Sequence, residues 1–139
     1  VTGDTWNLHH DALRARQANG LGKIGLQLSV EEPLDDVSTD LPHLDLIDLK
    51  FDKFTDGRAF SVAVLLRRKY AFEGEIRASG DIHRDQLAQL RRVGFNSFSL
   101  TNDGSPKSTQ FSINAFSEVY QNAADGLTSV REKRQVNRL

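Results

Sequence analysis

LDLIDLKFDKFTDGRAFSVAVLLRRKYAFEGEIRASGDIHRDQLAQLRRVGFNSFSL, residues 44–100, changes period repeatedly, and those changes predict the fold. LDLIDLKF (44–51) is mostly apolar, with Asp45, Asp48 and Lys50 interspersed, and predicts a strand. RAFSVAVLLRRK (58–69) has the wide apolar arc of a helix lying on a sheet, and its basic end suits the negative end of the helix dipole. GEIRAS (74–79) predicts a second strand after a break at Gly74. Asp81 is a good N-cap for a helix over 82–93, where Ile82, Leu87, Leu90 and Val93 make a buried stripe. Gly94 suits the position just past its end, and FNSFSL (95–100) predicts the third strand. Strand, helix, strand, helix, strand at regular intervals is the pattern of parallel crossovers. The expected class is α/β with a parallel βαβαβ core, either a small open sheet or part of a TIM-like barrel.

Outward from this unit the signals weaken. KIGLQLSV (23–30) alternates, with Ile24, Leu26, Leu28 and Val30 on one face, and predicts a further strand. Residues 31–43 are turn-rich, with a short helix over 33–41 between Pro33 and Pro42. Residues 1–20 are expected to be an arm or weak helix around Trp6, Leu8, Ala12 and Leu13, stopped by Gly20 and Gly22. Ser108 caps a predicted helix over 109–121, with Ile113, Phe116 and Tyr120 on one side. The tail from Asp125 to the end is polar and basic and is expected to fray as a flexible segment.

The chain has 139 residues, and a single domain over 1–139 is expected. Its 18 basic and 19 acidic side chains, net charge -1, argue against a nucleic-acid binder. Cysteine is absent, which removes disulfides and thiolate chemistry and fits a cytoplasmic protein. No apolar run approaches a membrane span, and no basic-then-apolar opening predicts a signal peptide.

Three polar groups stand out. Parallel strands are normally buried on both faces, yet Glu75 and Arg77 share one face of their strand. They fit an edge strand or barrel interior, or else Arg77 holds an anionic ligand. Asp56, Gly57 and Arg58 open a helix after a strand, where backbone N–H groups and a guanidinium fork make an anion site; the plainer reading is a cap beside a solvated Arg. Asp81, Arg84 and Asp85 crowd the next helix start, on the same rim. Arg84 is unfavourable against the dipole there, which predicts a partner in Asp81, Asp85 or an anion. Phosphate-loop and dinucleotide fingerprints are absent, and no metal site is predicted. His9, His10 and His83 carry no ligand pattern.

The same stretch resembles a bacterial family of unknown function whose members are labelled as oxidoreductases involved in sulfite reduction. Its pattern is met by Phe51, Phe54, Asp56, Gly57, Arg58 and Ser61, then Leu65, Leu66 and Arg67. It continues through Gly74, Glu75, Arg77, Ala78, Gly80 and Asp81, then Arg84, Asp85 and Gln86, then Arg92, Gly94 and Phe95. The match extends weakly to Trp6 and to Tyr120 and Gln121. Many relatives carry Cys where this chain has Val93, and Pro where it has Asp52. Any family chemistry needing that thiol is excluded here.

The resemblance implies work near assimilatory sulfite reductase, with no cofactor transferable by residue. One expectation is an accessory protein that docks on sulfite reductase or another sulfur-assimilation protein, or acts as a homodimer, either with its polar motifs forming a salt-bridge network or binding a small anion or cofactor at the carboxyl-end rim of the sheet. Another is an oxidoreductase or enzyme subunit using a bound cofactor. The third is a soluble α/β domain whose function the sequence does not carry. The ligand candidates are Asp56, Gly57, Arg58, Arg77, Asp81, Arg84 and Asp85, with Glu75, Gln86 and Arg92 as network residues. Partners from the nucleic-acid or membrane classes are not expected.

Overall fold

The computed structural model describes residues 2, 6, 11–13, 15, 18–20, 22–31, 33–53, 55–100 and 119–136. Strands β1 (Gly25–Leu28), β2 (Leu46–Phe51), β3 (Glu75–Gly80) and β4 (Ser97–Phe98) form one parallel sheet in the order β1-β2-β3-β4. The predicted α/β class and parallel crossovers are therefore present. Helix α1 (Leu34–Val37) and a 3-10 turn (Leu41–His43) join β1 to β2, and α2 (Arg58–Arg68) joins β2 to β3. A 3-10 turn (Arg84–Gln86) running into α3 (Leu87–Arg92) joins β3 to β4, and α4 (Val130–Val136) lies near the end.

The strand order has a physical consequence. Right-handed crossovers between successive parallel strands, taken always in one direction, put the helices on one side of the sheet. Leu26, Leu28, Ile47, Leu49, Phe51, Ile76 and Ala78 fill that side, against Ala59, Ala63 and Leu66 of α2 and Leu87 and Leu90 of α3. Phe51 meets Phe60 edge-on at 5.9 Å and tilts against Phe95 at 6.0 Å. The opposite face carries Gln27, Asp48, Lys50, Glu75, Arg77 and Ser79. This is why parallel strands here alternate instead of reading as solid apolar runs. Glu75 and Arg77 sit on the open face at 40% and 41% side-chain exposure, so the several kcal/mol expected for a buried pair is not incurred.

Some expected boundaries move. The strands expected over 23–30 and 44–51 shorten to Gly25–Leu28 and Leu46–Phe51, that over 74–79 shifts by one residue, and that over 95–100 reduces to Ser97–Phe98. The helix expected over 33–41 splits into α1 and the 3-10 turn. The helix expected over 82–93 begins with the 3-10 turn, and its N-cap is His83, not Asp81. Gln86 is the cause: its side-chain oxygen accepts the His83 N–H at 3.0 Å. The tail expected to fray holds α4, because Ser129 and Glu132 make a second capping box, with Glu132 N–H to Ser129 Oγ and Ser129 N–H to Glu132 Oε2 both at 3.4 Å. Residues 119–121 are not helical; the rest of the helix expected over 109–121 lies outside the described residues, as do Phe54, His9 and His10. In the N-terminal arm, residues 11–13 are helical and Trp6 is 1% exposed, its indole donating to Asp40 Oδ2 at 2.6 Å.

Candidate functional site

Strands β2 and β3 end together, since Phe51 pairs with Gly80. Gly80 is required there: at φ +88 a Cβ would lie 2.3 Å from the Phe51 carbonyl oxygen. Asp81 N–H then donates to that same oxygen at 2.8 Å. The loops after these strands do share a rim, as expected. The arginines on it do not converge.

Arg58 is occupied by its own neighbours. Its Nε and Nη2 bind the Asp56 carboxylate, Nη2 to Oδ2 at 2.7 Å, and its Nη1 binds Glu31 Oε1 at 3.0 Å. The Asp56 carboxylate also accepts the Arg58 backbone N–H at 3.1 Å, while Gly57 takes the N-cap position. These bonds hold the Asp56 carboxyl at about 2, and they raise the Arg58 pKa above its ordinary value. The group fastens the loop after β1 to the loop after β2. Asp81 lies 3.6 Å from His83 Nε2, while Arg84 makes no ion pair among the described residues, so its expected partner in Asp81 or Asp85 is not found. Asp85 is exposed. No group of three or more potential metal ligands occurs among the described residues.

Other motif residues brace the far end of the sheet. Arg67 donates to the carbonyls of Gly94 at 3.0 Å, Phe72 at 2.5 Å and Gly74 at 2.8 Å. Gly94, at φ +116, makes room for it; a Cβ there would lie 2.6 Å from Arg67 Cγ. Arg92 grips both oxygens of Asp125 at 2.9 and 3.0 Å and the Gln121 carbonyl, which docks the chain before α4. Arg92 and Gln86 both hydrogen-bond to other residues of their surroundings, Gln86 to the His83 N–H. Val93, where many relatives carry Cys, is half-buried at the end of α3.

Arg77 lies elsewhere. It stands three residues before Gly80, about 10 Å back from the rim at the usual rise per residue. Strand register places it in a row across the open face: Gln27 beside Asp48, Asp48 beside Arg77, Arg77 beside Ser97. Gln27 Nε2 donates to Asp48 Oδ2 at 2.9 Å. Arg77 gives Nε to Ser97 Oγ at 3.2 Å and Nη2 to Glu75 Oε1 at 2.9 Å. A hydrogen bond from Ser97 and the Arg77 guanidinium, with Lys23 further off, lower the Glu75 pKa against the opposing effect of burial. A cleft of about 640 Å³ opens over the Gln27, Asp48 and Arg77 part of the row, lined also by Lys23, Asp45 and Glu75 among others.

Two polar atoms of this face are buried and make no hydrogen bond among the described residues, Asp48 Oδ1 and Ser79 Oγ. Such atoms cost roughly 1–3 kcal/mol each unless a donor or acceptor reaches them. Asp48 and Gln27 were missed as site residues. Their signal was available: polar residues at period two in successive strands, aligned once the register is known.

Residues 25–130 match the model of a bacterial protein family of unknown function, DUF934. The chain belongs to this family. The DUF934 description names no activity, substrate or partner. No curated protein and no solved structure matches the chain. For this DUF934 member the geometry divides the motif residues into braces, namely Arg67, Gly80, Gly94, Arg92 and the Asp56–Arg58 pair, and an open polar row around Arg77.

Proposed function

We propose that this chain is an accessory protein of sulfur assimilation, working beside sulfite reductase by binding a small polar ligand on the open face of its sheet. The observation that carries the binding half is the Gln27–Asp48–Arg77 row under a cleft, with a buried carboxylate oxygen left unbonded among the described residues. A strand order without reversal supports a face over a rim, because open α/β sheets place rim ligands where the order reverses. Singly wound sheets closed into barrels turn this face inward, where polar side chains can meet a ligand. The sulfur half rests on the resemblance of the motif residues.

In this reading the protein is cytoplasmic and acts as a homodimer or in complex with sulfite reductase. No helix among the described residues is long and apolar enough to cross a membrane. Native mass spectrometry of protein purified from its host, with and without sulfite reductase, tests both halves. A complex with sulfite reductase and a small retained mass are the expected results. A bare monomer in both preparations would reject the reading.

A further inference from the structure

We propose that the cleft over the sheet takes a small zwitterion of the α-amino-acid class, its ammonium on Asp48 and its carboxylate on Arg77. The inference rests on the reading of the open face as the binding surface and names the chemistry of its ligand. Asp48 and Arg77 are register partners on adjacent parallel strands. Despite that, they form no ion pair, because Arg77 turns toward Glu75 and Ser97 on its other side. Two groups are left uncommitted side by side. Asp48 Oδ1 is a buried acceptor without a donor among the described residues. Arg77 Nη1 is a donor with no partner among the described residues, its other nitrogens being engaged.

Charge selects among ligands. The cleft lining holds three carboxylates, Asp45, Asp48 and Glu75, against two cations, Lys23 and Arg77. A simple anion would meet a net negative surface. A simple amine would leave the Arg77 donor unused. A molecule with a cationic donor beside an anionic acceptor completes both, and charge-assisted hydrogen bonds are the strong ones. Leu46, in the same lining and half-buried, gives the ligand's carbon skeleton an apolar floor.

The test is isothermal titration calorimetry of the full chain with a panel of free L-amino acids. For any that binds, the matching amine without the carboxylate and the matching acid without the ammonium are run beside it, with inorganic sulfite as the anion-only probe. At least one amino acid is expected to bind saturably, and its amine and acid at least tenfold more weakly. Asp48→Asn and Arg77→Gln should each weaken binding at least tenfold. Asp48→Asn should keep the melting temperature, since the amide oxygen can still accept from Gln27 and Oδ1 has no hydrogen bond to lose among the described residues, so loss of binding is not loss of fold. Silence of the whole amino-acid panel, or full affinity in Asp48→Asn, overturns the zwitterion. Sulfite binding that depends on Arg77, with the amino acids silent, overturns the zwitterion while keeping the open face as a binding surface. If neither the probes nor any host-derived mass responds to the two substitutions, both readings fall.

Discussion

At the scale of single residues, the arginines of this chain do different work with the same group. Arg67 satisfies three backbone carbonyls around the start of β3 and the end of α3. Replacing it with Met keeps most of the stem and strands those acceptors. We expect Arg67→Met to cost about 3 kcal/mol in urea unfolding, from hydrogen bonds to a charged donor and the partners left bare. A loss below about 1 kcal/mol would mean that water replaces the guanidinium. Arg58 serves a loop instead, and its partner titrates. The folded Asp56 carboxyl lies at about 2, below the ~3.9 of an unfolded chain. The tie therefore contributes above the unfolded value and is lost as pH falls through the folded one. NMR titration of the Asp56 carboxyl should show a midpoint near 2; an ordinary midpoint would mean that Arg58 does not hold it. Trp6, the one tryptophan, reports on the N-terminal arm through its buried bond to Asp40. Its emission should be blue-shifted in the folded chain. Trp6→Phe should lower stability by roughly 1–3 kcal/mol by removing the donor to a buried carboxylate.

At the scale of elements, helix starts depend on reciprocal side-chain bonds. Gln86 returns to the His83 N–H, so the turn begins two residues later than an Asp81 cap would place it. Gln86→Ala should lower stability by about 1 kcal/mol in denaturant melts and leave the sheet intact. An unchanged midpoint would show that this return bond carries no weight. The same logic explains α4. Ser129 followed by Glu132 was readable as a capping box, but the polar composition around it pointed to a loose tail. Arg92 then secures the segment by holding Asp125, a contact between residues far apart in the chain.

At the scale of the molecule, the sheet is buried on one side and polar on the other. Protection from amide exchange should follow that asymmetry and the pairing. The central strands β2 and β3, holding Ile47, Leu49, Ile76 and Ala78 at full burial, should exchange slowest, and β4, two residues long, much faster. Equal protection in β3 and β4 would contradict this order.

Much of that architecture was written in local pattern. Period-two strands, a long amphipathic helix, glycine breaks and their spacing were enough for a parallel βαβαβ core, because these depend on neighbours along the chain. Local pattern also marked Glu75 and Arg77 as anomalous. It did not reach the fates of Arg58 and Arg77. Whether a guanidinium is free depends on acceptors that folding brings near: the Glu31 carboxylate for one, the Ser97 hydroxyl for the other. Nor could it align Gln27, Asp48 and Arg77, which are scattered in sequence and become a row only through strand register. The sequence alone determined the elements and their parallel connection, since backbone periodicity is a local property. Only the tertiary structure decided which face stays open and which polar atoms remain uncommitted on it, since pairing and burial are properties of residues distant in the chain.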